Sequence, residues 1–150
     1  MEYKKGRIGR VFLVRFDHGD DMLSELKKLA VSENICVASV LFLGALDHGR
    51  IVTGPVKREL PAKPHWTKFD DVWETIGAGM IFSDGDKVTL HVHGSYGKRN
   101  KSLIGCLRED AKVFITIEAV VSEIISTDAT KRMDVKLGHK TMQFVSRRRK

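Results

Sequence analysis

The sequence predicts an α/β fold of the α+β type: a mostly antiparallel β-sheet with one main helix packed against it. Three observations carry this expectation. Only one segment repeats apolar residues at helical spacing, with Met22, Leu23, Leu26, Leu29 and Ala30 falling on one face. Several other runs, at residues 8–16, 36–43, 50–56, 72–82, 87–96 and 113–125, are apolar and strand-like and are separated by breaks rich in turn residues. Asp84-Gly85 stands between two of these runs and is a strong hairpin signal, so those neighbours run antiparallel. One helix and many strands must bury their apolar faces on each other, which gives a sheet with a helix packed on it. A chain of 150 residues can do this as one domain, here residues 1–150 with a basic tail at 146–150, without disulfides.

The elements follow in order. Ile8, Val11, Leu13 and Val14 make the first strand, and Asp17-His18-Gly19-Asp20-Asp21 breaks it. Asp20 and Asp21 then sit at the positive end of the helix, Lys27 and Lys28 lie nearer its other end, and Asn34 is a suitable stop. A buried strand over 36–43 is followed by Gly44-Ala45-Leu46 and a second strand over 50–56. Residues 57–71, with Pro61 and Pro64, read as a loop. The hairpin of 72–82 and 87–96 comes next. The last strand expected is 113–125, rich in β-branched residues.

Composition narrows the class. With 42% hydrophobic and 30% charged residues the chain is an ordinary globular one, not a disordered one. Its two cysteines, Cys36 and Cys106, stand far apart with no CxxC spacing, which is cytosolic usage. The first residues carry no apolar leader, and the longest apolar stretch, 35–46, is too short to cross a bilayer. A cytoplasmic protein with no membrane partner is expected. The net charge of +7 is concentrated at the ends. Arg147, Arg148, Arg149 and Lys150 supply four units and Lys4 and Lys5 two more, which leaves the remainder at +1. Such a tail either adds salt-sensitive affinity for phosphate backbones or simply keeps the chain in solution.

The residues with most chemical potential lie in Leu90-His91-Val92-His93. On a strand, alternate side chains share a face, so His91 and His93 point together, roughly 7 Å apart at their backbones. Two such imidazoles can converge on one metal ion, and Cys106 offers a third ligand; a His2Cys set with an open position suits zinc. The alternative is a pair of hydrogen-bonded surface histidines and a small apolar cysteine in the core. Glu118 lies among Phe114, Ile115, Ile117, Val120 and Val121; it is either a general base or an ordinary ion-pairing or exposed carboxylate. Glu74 carries the same ambiguity. His48 lies at an expected turn, as a further ligand or a plain turn histidine, and His18 and His139 carry no functional signal. Trp66, Phe69 and Trp73 read as core or interface packing.

Several segments together resemble the PPC (DUF296) family. They are Gly19-Asp20-Asp21-Met22-Leu23-Ser24-Glu25-Leu26, Val40-Leu41-Phe42-Leu43-Gly44-Ala45-Leu46 and Trp73-Glu74-Thr75-Ile76-Gly77-Ala78-Gly79-Met80, then Leu90-His91-Val92-His93-Gly94-Ser95, Ile104-Gly105-Cys106-Leu107 and Thr116-Ile117-Glu118-Ala119-Val120. The resemblance covers roughly residues 7–145. It implies a largely antiparallel sheet, assembly as a homotrimer, and kinship with the domain that plant AT-hook nuclear proteins carry beside their hooks. Where many prokaryotic members of the family have Gly-Gly-His, this chain has Ile104-Gly105-Cys106, so cysteine replaces the third histidine of the family's polar cluster and remains a competent zinc ligand. Arg7-Ile8-Gly9-Arg10 lacks the Arg-Gly-Arg-Pro core of a hook, and minor-groove recognition by a hook does not carry over.

Three functional classes follow. The first is a metal-bearing homotrimer that binds DNA non-specifically through Arg147, Arg148, Arg149 and Lys150 and through Lys98, Arg99 and Lys101. The second is a zinc-dependent, hydrolase-like enzyme in which His91, His93 and Cys106 hold the ion and Glu118 assists. The third is a structural scaffold. The first ranks highest, because no complete catalytic set is visible.

Overall fold

The computed structural model describes residues 1–84 and 87–144. Strand β1 (Arg7–Asp17) leads into helix α1 (Met22–Ser32), and β2 (Val37–Pro55), β3 (Pro64–Phe69), β4 (Trp73–Asp84), β5 (Lys87–Lys98) and β6 (Lys101–Ile125) follow. A short hairpin, β7 (Ala129–Asp134) and β8 (His139–Phe144), comes last. The main sheet has the order β1-β6-β5-β4-β2-β3, with every pairing antiparallel. Because β6 also pairs with β2, the strands β2, β4, β5 and β6 close into a ring. The expected fold, a mostly antiparallel sheet with one helix, is the one found.

The helix starts where its sequence says it must. Asp21 caps it, its carboxylate accepting from the Ser24 N–H at 2.8 Å and, through the other oxygen, from Ala111 N–H at 3.1 Å, so one side chain ties helix to β6. Asn34 turns the chain out of the helix with a left-handed φ of 53°, which asparagine tolerates better than most residues. The helix packs against β4, β5 and β6 and buries Met22, Leu23, Leu26 and Ala30. Phe16, Ile35, Leu46, Ile81, Val92, Tyr96, Val113 and Ile117 complete the core.

The strands are longer than the sequence suggested. Residues 36–43 and 50–56 belong to one 19-residue strand, because the glycines between them mark irregularities in a continuous ladder and not its end. At Gly44, φ is +143° and an added Cβ would collide with the Thr116 carbonyl oxygen, so the close crossing of β2 over β6 needs glycine there. Strand β6 begins at Lys101, not near 113; the polar run Arg108-Glu109-Asp110 hid its first half. The segment 57–71 contains β3, an edge strand opened by Pro64, where a missing N–H costs no ladder bond. The β7–β8 hairpin was not foreseen, since its strands are polar and mostly exposed or half-buried. It is tied to the body by Ala62 N–H donating to the Leu137 carbonyl at 3.2 Å and by the Lys131 ammonium 5.7 Å from the Phe82 ring centre. No helix among the described residues is long and apolar enough to cross a membrane.

Candidate metal centre

Strand alternation puts His91 and His93 on one face of β5, while Val92 between them is buried in the core. The neighbouring strand brings the third group. In the β5–β6 register His93 stands opposite Cys106, and Cys106 also stands opposite Val52 of β2. That double pairing requires a close approach of β6 to β2, and an added Cβ at Gly105 would come 2.7 Å from the Val52 carbonyl oxygen. The ligand atoms of His91, His93 and Cys106 all lie within 4.8 Å of one another. The Nε2 atoms of the two rings are 3.2 Å apart and the rings meet edge to face. Cys106 is buried, whereas both rings keep a side open to solvent.

The electrostatics suit a ligand set. Burial, aided by Lys131, His93, Arg108 and His139, pulls the His91 pKa down to about 4. Burial and Arg108 also lower that of His93. Both imidazoles are therefore neutral at pH 7, the form that donates a lone pair to a metal. Burial raises the Cys106 pKa against the opposing pull of Arg108, the Val92 backbone and Lys131. The cysteine thus stays a thiol until something displaces its proton, as a bound metal does.

These three residues form the floor of a cleft of about 870 Å³. The β2–β3 hairpin forms one wall with Val52, Pro55 and Trp66; β4 contributes Met80 and Phe82, and β8 contributes Met142. Basic side chains stand at its sides: Arg108 from β6, Lys63 ahead of β3, and Lys131, His139 and Lys140 from the β7–β8 hairpin. The Lys131 Nζ lies 3.4 Å from His91 Nδ1. Sequence reasoning missed all five of these. Alternation along β6 was a usable signal for Arg108, two residues after Cys106, but the hairpin residues reach the cleft only through tertiary packing.

Other candidates lie elsewhere. Glu118 does not join the cleft. It is exposed on β6, opposite Arg15 and Leu43, and lines a separate apolar hollow of about 590 Å³ with Leu13, Leu41, Ile76 and Val120. Lys98, Arg99 and Lys101 gather at the β5–β6 turn around a polar hollow with Lys68, Asp70 and Asp71. There Lys98 forms an ion pair with Asp71 and, with the Val72 N–H, lowers that carboxyl's pKa. Arg147, Arg148, Arg149 and Lys150 lie outside the described residues. His48 sits within β2, 3.4 Å from the Asp47 carboxylate, and His18 accepts from Ile115 N–H at 3.3 Å against the edge of Phe114. Glu74 is exposed on β4. Of the aromatic trio, Phe69 is core, packed on Trp73 and Tyr96, while Trp66 faces the cleft under Arg50.

Solved structures share this architecture. A metal-containing protein from Archaeoglobus fulgidus superimposes with a TM-score of 0.83 at 19% identity, over 95% of this chain and 99% of its own. A plant- and prokaryote-conserved (PPC) protein from Pyrococcus horikoshii gives 0.80 at 22% identity, over 97% and 99%. A protein from Ralstonia eutropha named as a candidate DNA-binding protein gives 0.74 at 18% identity, over 89% and 90%. At these identities the likeness establishes the fold. No curated protein matches the sequence. Residues 3–125 match the Plants and Prokaryotes Conserved (PCC) domain, most of the chain's length, and the protein belongs to that family.

Proposed function

We propose that this chain is a one-domain, metal-binding PPC protein that works as a homotrimer, with zinc held by His91, His93 and Cys106. The observation that carries the metal reading is the convergence of three ligand atoms within 4.8 Å, two of them on imidazoles kept neutral by their surroundings. Two nitrogens and one sulfur form a donor set that zinc accepts well, with a position left for a further ligand from the cleft. The metal-containing neighbour of the same fold supports this reading. Bound zinc would supply Lewis acidity to a molecule in the cleft, while the chain's own groups would orient it.

The trimer is supported by an apolar sheet face. Leu13 is 85% exposed and Ile76 65%, and with Leu41, Leu43 and Val120 they surround the hollow that Glu118 also lines. Such a contiguous apolar face marks a contact surface. DNA contact, in this reading, runs through Arg147, Arg148, Arg149 and Lys150 with Lys98, Arg99 and Lys101, and the DNA-related name of the Ralstonia neighbour favours it. Binding ranks above hydrolysis because Glu118 lines another surface and the cleft's own carboxylate, Glu109, is taken up by Arg50.

The test is elemental analysis of freshly purified protein beside sedimentation. About one zinc per chain is expected in the native protein, with loss in the His91→Ala/Cys106→Ser variant and an unchanged trimer. Native protein free of metal would end the zinc reading. Deleting residues 147–150 should flatten the salt dependence of DNA affinity; an unchanged slope would move the contact away from the tail.

A further inference from the structure

The cleft above His91, His93 and Cys106 carries more positive charge than its own side chains balance. Lys63, Arg108, Lys131 and Lys140 line it, against one carboxylate, Glu109, which is already paired with Arg50. Several cations elsewhere have carboxylate partners: Arg10 binds Glu33 and Glu123, Lys4 binds Asp128, Lys28 binds Glu25 and Lys98 binds Asp71. Among the described residues, neither Arg108 nor Lys131 makes an ion pair with a carboxylate. Lys131 is also half-buried, with its ammonium held between the Phe82 ring and His91 Nδ1. Arg108 lines the same cleft. Holding two cations together beside two imidazoles costs free energy unless an anion completes the group.

The walls argue for the kind of anion. Val52, Pro55, Trp66, Met80, Phe82 and Met142 offer apolar surface around the charged end, and about 870 Å³ is the size of a small-molecule site. A nucleic-acid backbone is a chain of hydrated phosphates that is met by exposed cations on open surface, and it has no use for a walled apolar recess. We propose that this cleft binds a small organic anion, a carboxylate or phosphate ester with an apolar body, whose charged end is held by Arg108 and Lys131 and whose body lies against Trp66 and Met80.

This goes beyond the metal reading and does not depend on it, since the cations are in place from the protein alone. The experiment is isothermal titration of the full-length protein, as purified and after treatment with a chelator, with phenyl phosphate, benzoate, inorganic phosphate and phenol. Phenyl phosphate or benzoate is expected to saturate one site per chain in the millimolar range or below, more tightly than inorganic phosphate or phenol. Arg108→Gln and Lys131→Gln should each weaken binding by about tenfold. Lys27→Gln, on the exposed face of α1 and away from the cleft, should leave it unchanged. Circular dichroism and sedimentation check that each variant is folded.

Absence of saturable binding by both organic anions overturns the proposal. So does unaltered affinity in folded Arg108→Gln and Lys131→Gln proteins. Displacement of phenyl phosphate by short duplex DNA, with DNA affinity falling in the same two variants, would reassign the cleft to nucleic acid and also overturn it. The two readings fail separately: a metal-free protein that binds phenyl phosphate removes only the zinc, and a zinc protein that ignores it removes only the anion.

Discussion

Zinc affinity should depend on pH with an order near one, and the cleft is the reason. Each ligand that is protonated in the free protein must release its proton to the metal, and each such release costs about tenfold in apparent affinity per pH unit below its pKa. Cys106 is held above the ordinary thiol value by burial, so it is protonated across pH 6–8 and contributes one such factor throughout. Two imidazoles at the ordinary value would each add a further factor below pH 6.5, giving roughly a hundredfold extra loss at pH 5.5. His91, lowered to about 4 chiefly by burial, remains neutral at pH 5.5 and adds nothing there. His93 is shifted in the same direction, so its contribution is displaced toward lower pH. The expected plot of log affinity against pH therefore keeps a slope near one from pH 8 to 7 and steepens below that by less than two free imidazoles would require. The perturbation that tests this is Cys106→His, which replaces the thiol by a third imidazole and should nearly abolish the slope above pH 7. The assay is competition with a chromophoric chelator of known proton affinity, corrected for its own titration. A native slope that steepens toward three below pH 6.5 would overturn this expectation, because it would mean that both imidazoles titrate as if free in water.

Three further outcomes are expected. Leu13→Asp should break the assembly: full burial of a leucine is worth about 2 kcal/mol, and Leu13 is 85% exposed in one chain, so most of that is at stake in each subunit, together with the cost of burying a carboxylate. Sedimentation at micromolar concentration reads it, and an intact trimer would place the interface elsewhere. Tyr96→Phe should leave the protein as stable or more stable to urea, because the Tyr96 hydroxyl is buried without a hydrogen-bond partner among the described residues and such a group costs about 1–3 kcal/mol. A clear loss of stability would show that the hydroxyl is satisfied in solution. Asp21→Ala should lower stability by about 1–2 kcal/mol, more than a plain cap, because the carboxylate serves both Ser24 and Ala111; a change below a few tenths would show that neither bond matters.

The sequence made the local decisions legible. Helical spacing from Met22 to Ala30 and the aspartates before it located α1 and its cap. Apolar runs marked where most strands pass through the core, and Asp84-Gly85 marked the junction of β4 and β5. Alternation placed His91 and His93 on one face, since that follows from the strand backbone alone. The polar half of β6 and the β7–β8 hairpin gave no such signal, because their strands owe their existence to pairing partners and not to a buried face. Breaks were overread for the same reason: Gly44 and Gly49 look like ends of strands in one dimension, yet in three they let β2 keep pairing as it bends.

The candidate site divides along the same line. Residue types and period two were enough to nominate His91, His93 and Cys106, because two of the three are neighbours in the chain and the third carries a chemistry that few residues have. That Cys106 stands opposite His93, that Glu118 turns to an apolar hollow instead, and that Arg108 and Lys131 line the same cleft as the imidazoles were settled by the register of β6 and the fold of a distant hairpin. Local pattern specifies which side of a strand a residue takes; only the closing of β2, β4, β5 and β6 into a ring specifies what it faces, because that depends on contacts between residues far apart in the chain.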